Sequence, residues 1–233
     1  MLKAIIFDFD GLILDTESPL YQAWKDLFAQ YGKDLPLSQW AAIIGTVDDD
    51  FDPLKDLETQ LGYPLSNRAM LRTQVEKQTL QQLQNQSSLP GVETTLQEAK
   101  KQGLKIGLAS SSNREWVGGH LKRLGLESYF DCVRTFSEVG CAKPDPLLYQ
   151  SVLECLSVSP QEAIALEDSP NGITAAVEAG VFCIAIPNPL TRRLDLSHAN
   201  LHLNSLEELD LVEIQKHLNG ENGIYSSILY ASD

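Results

Sequence analysis

Asp8 and Asp10 stand two residues apart at the end of an apolar run, Ala4-Ile5-Ile6-Phe7, with Gly11 following. If that run is a buried strand, both acids reach the loop beyond its carboxyl end, where open α/β sheets bind ligands. Two carboxylates so placed repel each other and lose hydration, so a cation or a raised pKa must relieve them. Three further polar clusters deserve the same scrutiny: Ser110 in Ser110-Ser111-Ser112-Asn113, Lys143 before Pro144, and Glu167-Asp168 before Ser169. Each alone also fits an ordinary polar loop or a helix cap. Together they supply several acids, an ammonium and hydroxyl donors. That set is too negative to hold a phosphate unaided, and it points to a hard divalent cation. Mg2+ accepts oxygen ligands together with a substrate phosphate. The chemistry that suits the set is phosphoryl transfer, which rests on in-line positioning and neutralisation of the phosphoryl oxygens. An aspartate can act there as the nucleophile, through an acyl phosphate.

For these clusters to meet, the elements that carry them must share one rim. Strands are predicted over 3–7, 105–109, 132–135, 163–166 and 181–186, with a weaker one over 201–203. Helical periodicity fills the intervals: Leu20, Trp24, Leu27, Phe28 and Tyr31 lie on one face, with Thr16 as the expected N-cap. Ser169 reads as an N-cap and Pro170 as the first residue of a further helix. A last helix is expected over 206–218, and no element is assigned to 219–233. Leu12-Ile13-Leu14 is read as a tight turn leading into a hairpin arm. Strands alternating with helices imply right-handed βαβ units and a parallel sheet covered on both faces. The stretch 37–86 reads as helix only, with candidates at 37–44, around Leu54, Leu57 and Leu61, and over 67–83. The expected organisation is therefore an α/β, Rossmann-like parallel-sheet core from 1–14 and 90–233, with a helical cap inserted at 15–89.

Bulk properties narrow the partners. The chain has 233 residues, 43% of them hydrophobic, and a formal net charge of -14. Such an excess of acid argues against gripping nucleic acid phosphates. Residues 1–15 make a poor signal peptide, and no uninterrupted apolar segment is long enough to span a bilayer. Cys132, Cys141, Cys155 and Cys183 form no C-x-x-C pair, so reduced thiols and a cytoplasmic location are the expectation. No nucleic acid or membrane partner is expected; the polar clusters point to a small phosphorylated metabolite, and a monomer is assumed, since the sequence does not speak to oligomeric state.

The four clusters, in this order and on these elements, resemble the haloacid dehalogenase superfamily, and within it the β-phosphoglucomutase-like phosphatases with a helical cap. Asp8-Phe9-Asp10-Gly11 is similar to the first motif of that family, Ser110 to the second, Lys143 to the third, and Glu167-Asp168-Ser169-Pro170-Asn171-Gly172 to the fourth. The resemblance implies that Asp8 is a nucleophile and Asp10 an acid and base toward the leaving group and water. It implies Mg2+ ligation by the Asp8 carboxylate, the Asp10 carbonyl and Asp168, with Glu167 direct or through water. Ser110 and the backbone amides after it, in Ser111, Ser112 and Asn113, would hold phosphoryl oxygens, and Lys143 would pair with Asp8 and the phosphate. A cis Lys143–Pro144 bond is expected, an inexpensive isomer before proline. Thr16 would sit at the first hinge of the cap, and Arg72 matches a basic cap residue of the sugar-phosphate mutases.

The likeness also has departures. Leu20 stands where the mutases have a histidine, and Gly45-Thr46-Val47-Asp48-Asp49-Asp50 lacks the arginine of their glycine turn. The acidic run Asp48 to Asp52 reads as a solvated loop or helix start, or as an element that repels highly charged substrates. The expected activity is a Mg2+-dependent phosphatase acting on small phosphate monoesters such as sugar phosphates. The alternatives are a β-phosphoglucomutase-like mutase, a haloacid dehalogenase and a non-catalytic binding protein. Asp10 and Asp168 count against dehalogenation, which needs neither a metal nor that acid.

Overall fold

The structure, a computed structural model, describes residues 1–41 and 51–221. Strand β1 (Ala4–Phe7) is wholly buried and lies inside a six-stranded parallel sheet. The others are β2 (Lys105–Ser110), β3 (Cys132–Thr135), β4 (Ala163–Glu167), β5 (Phe182–Ala185) and β6 (Leu201–His202), in the order β3-β2-β1-β4-β5-β6. From β1 the chain builds outward through β2 and β3, then crosses back to β4 on the other side of β1, and the carboxyl ends of the strands at such a reversal form the crevice where these sheets bind ligands. Phe7 is level with Leu108 of β2 and Leu166 of β4, so the next residue, Asp8, emerges beside Glu167.

Alternation along β1 covers both faces. Ile5 and Phe7 join a core with Val92, Leu96, Val117 and Leu121, from α5 (Val92–Lys101) and α6 (Arg114–Leu124). Ala4 and Ile6 face the opposite core, built on α8 (Leu147–Leu156) and α9 (Pro170–Glu178). Each fully buried large apolar side chain contributes about 1.5–3 kcal/mol relative to exposure, so the strand bearing the two acids is anchored from both sides. Of the remaining helices, α10 (Leu211–Leu218) adds Leu211 and Ile214 to the first of these cores, and the short α7 (Phe136–Val139) packs Val139 against the second.

Four helices lie between β1 and α5: α1 (Glu17–Gln30), α2 (Leu37–Ala41), α3 (Pro53–Leu61) and α4 (Arg68–Leu83). They share an apolar cluster distinct from the two sheet cores, including Trp24, Phe28, Leu54, Leu57 and Val75, which Leu190 from the loop after β5 joins. The helical reading of this stretch matches them, and the segment Gly45 to Asp50 lies outside the described residues. Asp52, at the end of the acidic run, starts α3 by accepting from the Leu54 N–H.

Several local expectations are corrected. Thr16 makes no side-chain cap, and Asp15 Oδ1 accepts from the Ser18 N–H at 3.0 Å instead. Leu12-Ile13-Leu14 is a compact turn, not a hairpin arm: Gly11 donates to the Leu14 carbonyl at 2.8 Å, and Ile13 to that of Phe9 at 2.9 Å. Asp10 and Leu14 make only an isolated bridge. The helix expected over 206–218 divides into a 3-10 turn, Leu206–Glu208, and α10, because Asp210 accepts from the N–H groups of Val212 and Glu213 and starts a new helix. The thiol expectation fails for one pair. Cys132 of β3 and Cys155 of α8 are joined by a disulfide, with Cα atoms 6.3 Å apart, while Cys141 and Cys183 are free. The pairing spans 23 residues and arises because α8 packs against β3, which no C-x-x-C search detects.

Candidate active site

The loops after β1, β2 and β4 converge as the topology requires. Asp8 leaves β1 with its N–H donating to the Leu166 carbonyl at 3.0 Å. Its carboxylate pairs with the Lys143 ammonium, which also donates to Glu167 Oε1 at 2.6 Å. Lys143 lies before a cis peptide to Pro144, and its backbone N–H donates to Ser111 Oγ at 3.0 Å. Glu167, at the end of β4, takes a further hydrogen bond from the Tyr149 hydroxyl. Asp168 Oδ2 accepts from Asn188 Nδ2 at 2.8 Å, and the same amide donates to the Gly11 carbonyl at 3.3 Å.

Glycine is required at two positions here. Gly11 has φ +85°, and a Cβ there would lie 2.4 Å from Asp168 Oδ2. At Gly172 a Cβ would lie 1.9 Å from Glu167 Oε2. Ser169 caps α9 by accepting from the Gly172 N–H at 3.1 Å, which delivers Asp168 to the rim just before the helix begins.

Asp10 points to a different set of partners. Its Oδ2 accepts from Ser112 Oγ at 2.7 Å and from Ser110 Oγ at 3.3 Å, and its Oδ1 from the indole N–H of Trp116 at 2.9 Å. Phe9 between the two acids is fully buried and packs near His120, with ring centroids 6.2 Å apart. Alternation at the strand end therefore sends the flanking acids to the rim and Phe9 to the core.

The electrostatics are those of a carboxylate cluster with too little positive charge. Burial pushes the Asp8 carboxyl up to about 8; Lys143 opposes this, while Glu167 and Asp10 add to it. Burial, with Asp8 and Glu167 nearby, holds Asp168 well above the ordinary carboxylate range. Burial alone would lower the Lys143 ammonium, but the carboxylates of Asp8 and Glu167 overcome it and hold it above its usual value. Burial, reinforced by Asp10 and Asp15, raises the half-buried Glu17 to about 7.

Asp8, Glu167 and Asp168 are all buried and present oxygens within 4.8 Å of one another. Asp168 Oδ1 is buried and accepts no hydrogen bond. An ionised oxygen in that state is costly unless a cation meets it. The donor set is all oxygen, which fits a hard divalent ion.

A cavity of about 500 Å3 opens above these groups and includes Asp8, Asp10, Lys143, Asp168, Ser111 and Ser112 in its lining. Its upper wall comes from α1 and α4, through Thr16, Glu17, Leu20, Glu76, Thr79 and Leu80. Thr16, which the family resemblance puts at the first hinge, lies on the cavity wall. Asn113 does not line it; its side chain caps α6 by accepting from the Trp116 N–H at 2.8 Å. Arg72 is also off the wall, on the surface of α4, paired with Asp52 Oδ1 at 2.8 Å. Sequence reasoning missed Glu17, Trp116, Tyr149 and Asn188 as parts of this site. Trp116 and Tyr149 look like ordinary helix-face aromatics, and Asn188 lies in a loop with no motif. Gly172 was legible only as one letter of the fourth motif.

Comparison with known proteins agrees with this geometry. A model of the haloacid dehalogenase-like hydrolases matches residues 5–186. YhcW of Bacillus subtilis, which bears a phosphatase name, is 43% identical over 222 residues, covering 95% of this chain and 100% of its own length. The phosphorylated carbohydrates phosphatase of Thermotoga maritima is 32% identical over 180 residues, covering 77% of this chain and 82% of its own. Among solved structures, β-phosphoglucomutase from Clostridium difficile superposes with a TM-score of 0.71 at 26% identity, covering 94% of this chain and 98% of that one. With the family match running from β1 through the strand that follows the Glu167-Asp168 cluster, the chain belongs to the haloacid dehalogenase-like hydrolases.

Proposed function

We propose that this protein is a Mg2+-dependent phosphatase of small phosphate monoesters, sugar phosphates among them, with Asp8 as nucleophile. The observation that carries the reading is the buried group Asp8, Lys143, Glu167 and Asp168 at the carboxyl edge of a parallel sheet, beneath a cavity walled by α1 and α4. Relatives named as phosphatases of phosphorylated carbohydrates and of hexitols support the substrate class. Residues 15–89 would form the cap and the remainder the core, since the helices between β1 and α5 build an apolar cluster distinct from the two sheet cores, joined from outside by Leu190.

In this mechanism an Asp8 oxygen attacks phosphorus, the bond to the leaving oxygen breaks, and Asp10 supplies its proton to that oxygen. Water then attacks the phosphorus of the aspartyl phosphate. Asp10 takes the water's proton, the bond to Asp8 breaks, and phosphate leaves. Lys143 offsets the charge of Asp8 and Glu167 and remains beside the nucleophile throughout. Ser110 and Ser112 hold the Asp10 carboxylate, and Ser111 holds the loop of Lys143. Asp8, Asp168, Glu167 and the Asp10 carbonyl would hold Mg2+, which when bound neutralises the carboxylates and polarises the phosphoryl group.

The test is a phosphate-release screen over phosphorylated metabolites with and without Mg2+. Release that depends on the metal and is lost in Asp8→Asn supports the reading; release that survives either change overturns it. Glucose 1-phosphate with a bisphosphate primer separates a mutase, which would form glucose 6-phosphate without free phosphate.

A further inference from the structure

The upper half of the cavity has a chemistry that the phosphoryl site does not explain. Glu17 from α1 and Glu76 from α4 both line it, beside the apolar side chains of Leu20 and Leu80. Trp116 closes the side wall; its indole N–H is spent on Asp10, so only the ring is left to meet a ligand. Thr16 is 6% exposed and lines the same space, and its Oγ1 has no hydrogen-bond partner. A buried hydroxyl without a partner costs free energy that a ligand hydroxyl or amine would recover.

Positive charge is missing from this half. Among the described residues Lys143 is the sole cation on the cavity lining, and Asp8 and Glu167 already engage it. Arg68 and Arg72, the cations that start α4, are held by Asp52 and Glu58. The segments 42–50 and 222–233 contain no lysine, arginine or histidine, so they bring none either. A second phosphate or a carboxylate on the substrate would therefore face Glu17 and Glu76 with nothing to neutralise it. Like charges so juxtaposed are strongly unfavourable.

We infer that Thr16, Glu17, Leu20, Glu76, Leu80 and Trp116 form a leaving-group subsite that takes hydroxylated alcohols without a second anion and favours those bearing an amine. The carboxylates accept from hydroxyl or ammonium groups, Thr16 exchanges a hydrogen bond with one of them, and the leucines and indole ring cover the C–H face of a sugar or polyol. This inference rests on the phosphatase reading above and specifies which monoesters the site prefers.

A charge series on similar six-carbon frameworks tests it: glucosamine 6-phosphate, glucose 6-phosphate and 6-phosphogluconate, with p-nitrophenyl phosphate as a probe of the chemistry. At low ionic strength and pH 8, where Glu17 is ionised, kcat/KM should fall in that order, by about tenfold or more from the amine to the carboxylate. In the double variant Glu17→Gln, Glu76→Gln the ratio between the ends of the series should collapse toward one, whatever the absolute rate. A flat or inverted series in the wild type, or an unchanged ratio in the double variant, overturns the inference while p-nitrophenyl phosphate turnover leaves the phosphatase reading standing. No release from any of the four removes the phosphatase reading, and this inference with it.

Discussion

The Glu167 carboxylate occupies the space that a side chain at position 172 would fill: a Cβ on Gly172 would lie 1.9 Å from its Oε2. One turn into α9, the glycine thus makes room for the acid that shares Lys143 with Asp8. Gly172→Ala should push Glu167 off Lys143 and Tyr149. Overpacking of this kind costs about 1–3 kcal/mol, or roughly 2–10 °C in Tm for a chain of this size. Thermal unfolding checks the loss. An alanine variant as stable and active as the wild type would mean that the carboxylate has somewhere else to go.

Lys143 is a buried ammonium between two buried carboxylates. Removing one partner of such a group leaves uncompensated charge and typically costs about 3–5 kcal/mol. Lys143→Met should therefore lower Tm markedly in metal-free protein and abolish turnover. The accompanying double variant Lys143→Met, Glu167→Gln should recover part of the stability but none of the activity. Equal instability of the two variants would contradict the ion-pair account.

The carboxylates predict how pH acts on the chelated protein. Asp8 rises from 3.8 to about 8 and Glu17 from 4.5 to about 7. Between these limits the folded state binds more protons than the unfolded one, so stability declines as pH rises. Thermal unfolding in a chelator should accordingly show Tm falling by several degrees between pH 5 and pH 8. On the proposed ligation, Mg2+ would have to displace the Asp8 proton, so its apparent affinity should rise with pH over pH 6 to 8, by up to about tenfold per unit. Calorimetric titration at three pH values measures it, and a pH-independent affinity would count against Asp8 as a ligand.

Trp116 donates to Asp10 at 2.9 Å, and losing a partner of this kind at a buried site costs about 1–3 kcal/mol. Trp116→Phe keeps the aromatic packing and removes only the donor. It should slow p-nitrophenyl phosphate turnover by about tenfold or more and leave Mg2+ affinity unchanged, because the proposed ligand from Asp10 is its carbonyl. Unaltered turnover would reduce Trp116 to a wall of the cavity.

By itself the sequence determined the strands, their alternation with helices in a parallel sheet, and the places where Asp8, Asp10, Ser110, Lys143, Glu167 and Asp168 would surface. The reason is that strand burial, helix caps and glycine turns are local, and apolar period plus Ser169-Pro170 or Phe7-Asp8 suffices to read them. Six parallel strands in one sheet then oblige their carboxyl ends to share a rim. What only the tertiary structure decided are relations between residues far apart in the chain. Trp116 reaches back 106 residues to Asp10, and Asn188 reaches 177 residues to Gly11. The Cys132–Cys155 link needed α8 to be seated on β3. Arg72 was placed by a motif offset, yet the side chain follows the nearest carboxylate, Asp52, because an exposed guanidinium goes where charge is closest. Glu17 reads as an ordinary first-turn acid, and its place on the cavity wall became visible only once α1 and α4 had closed over the sheet.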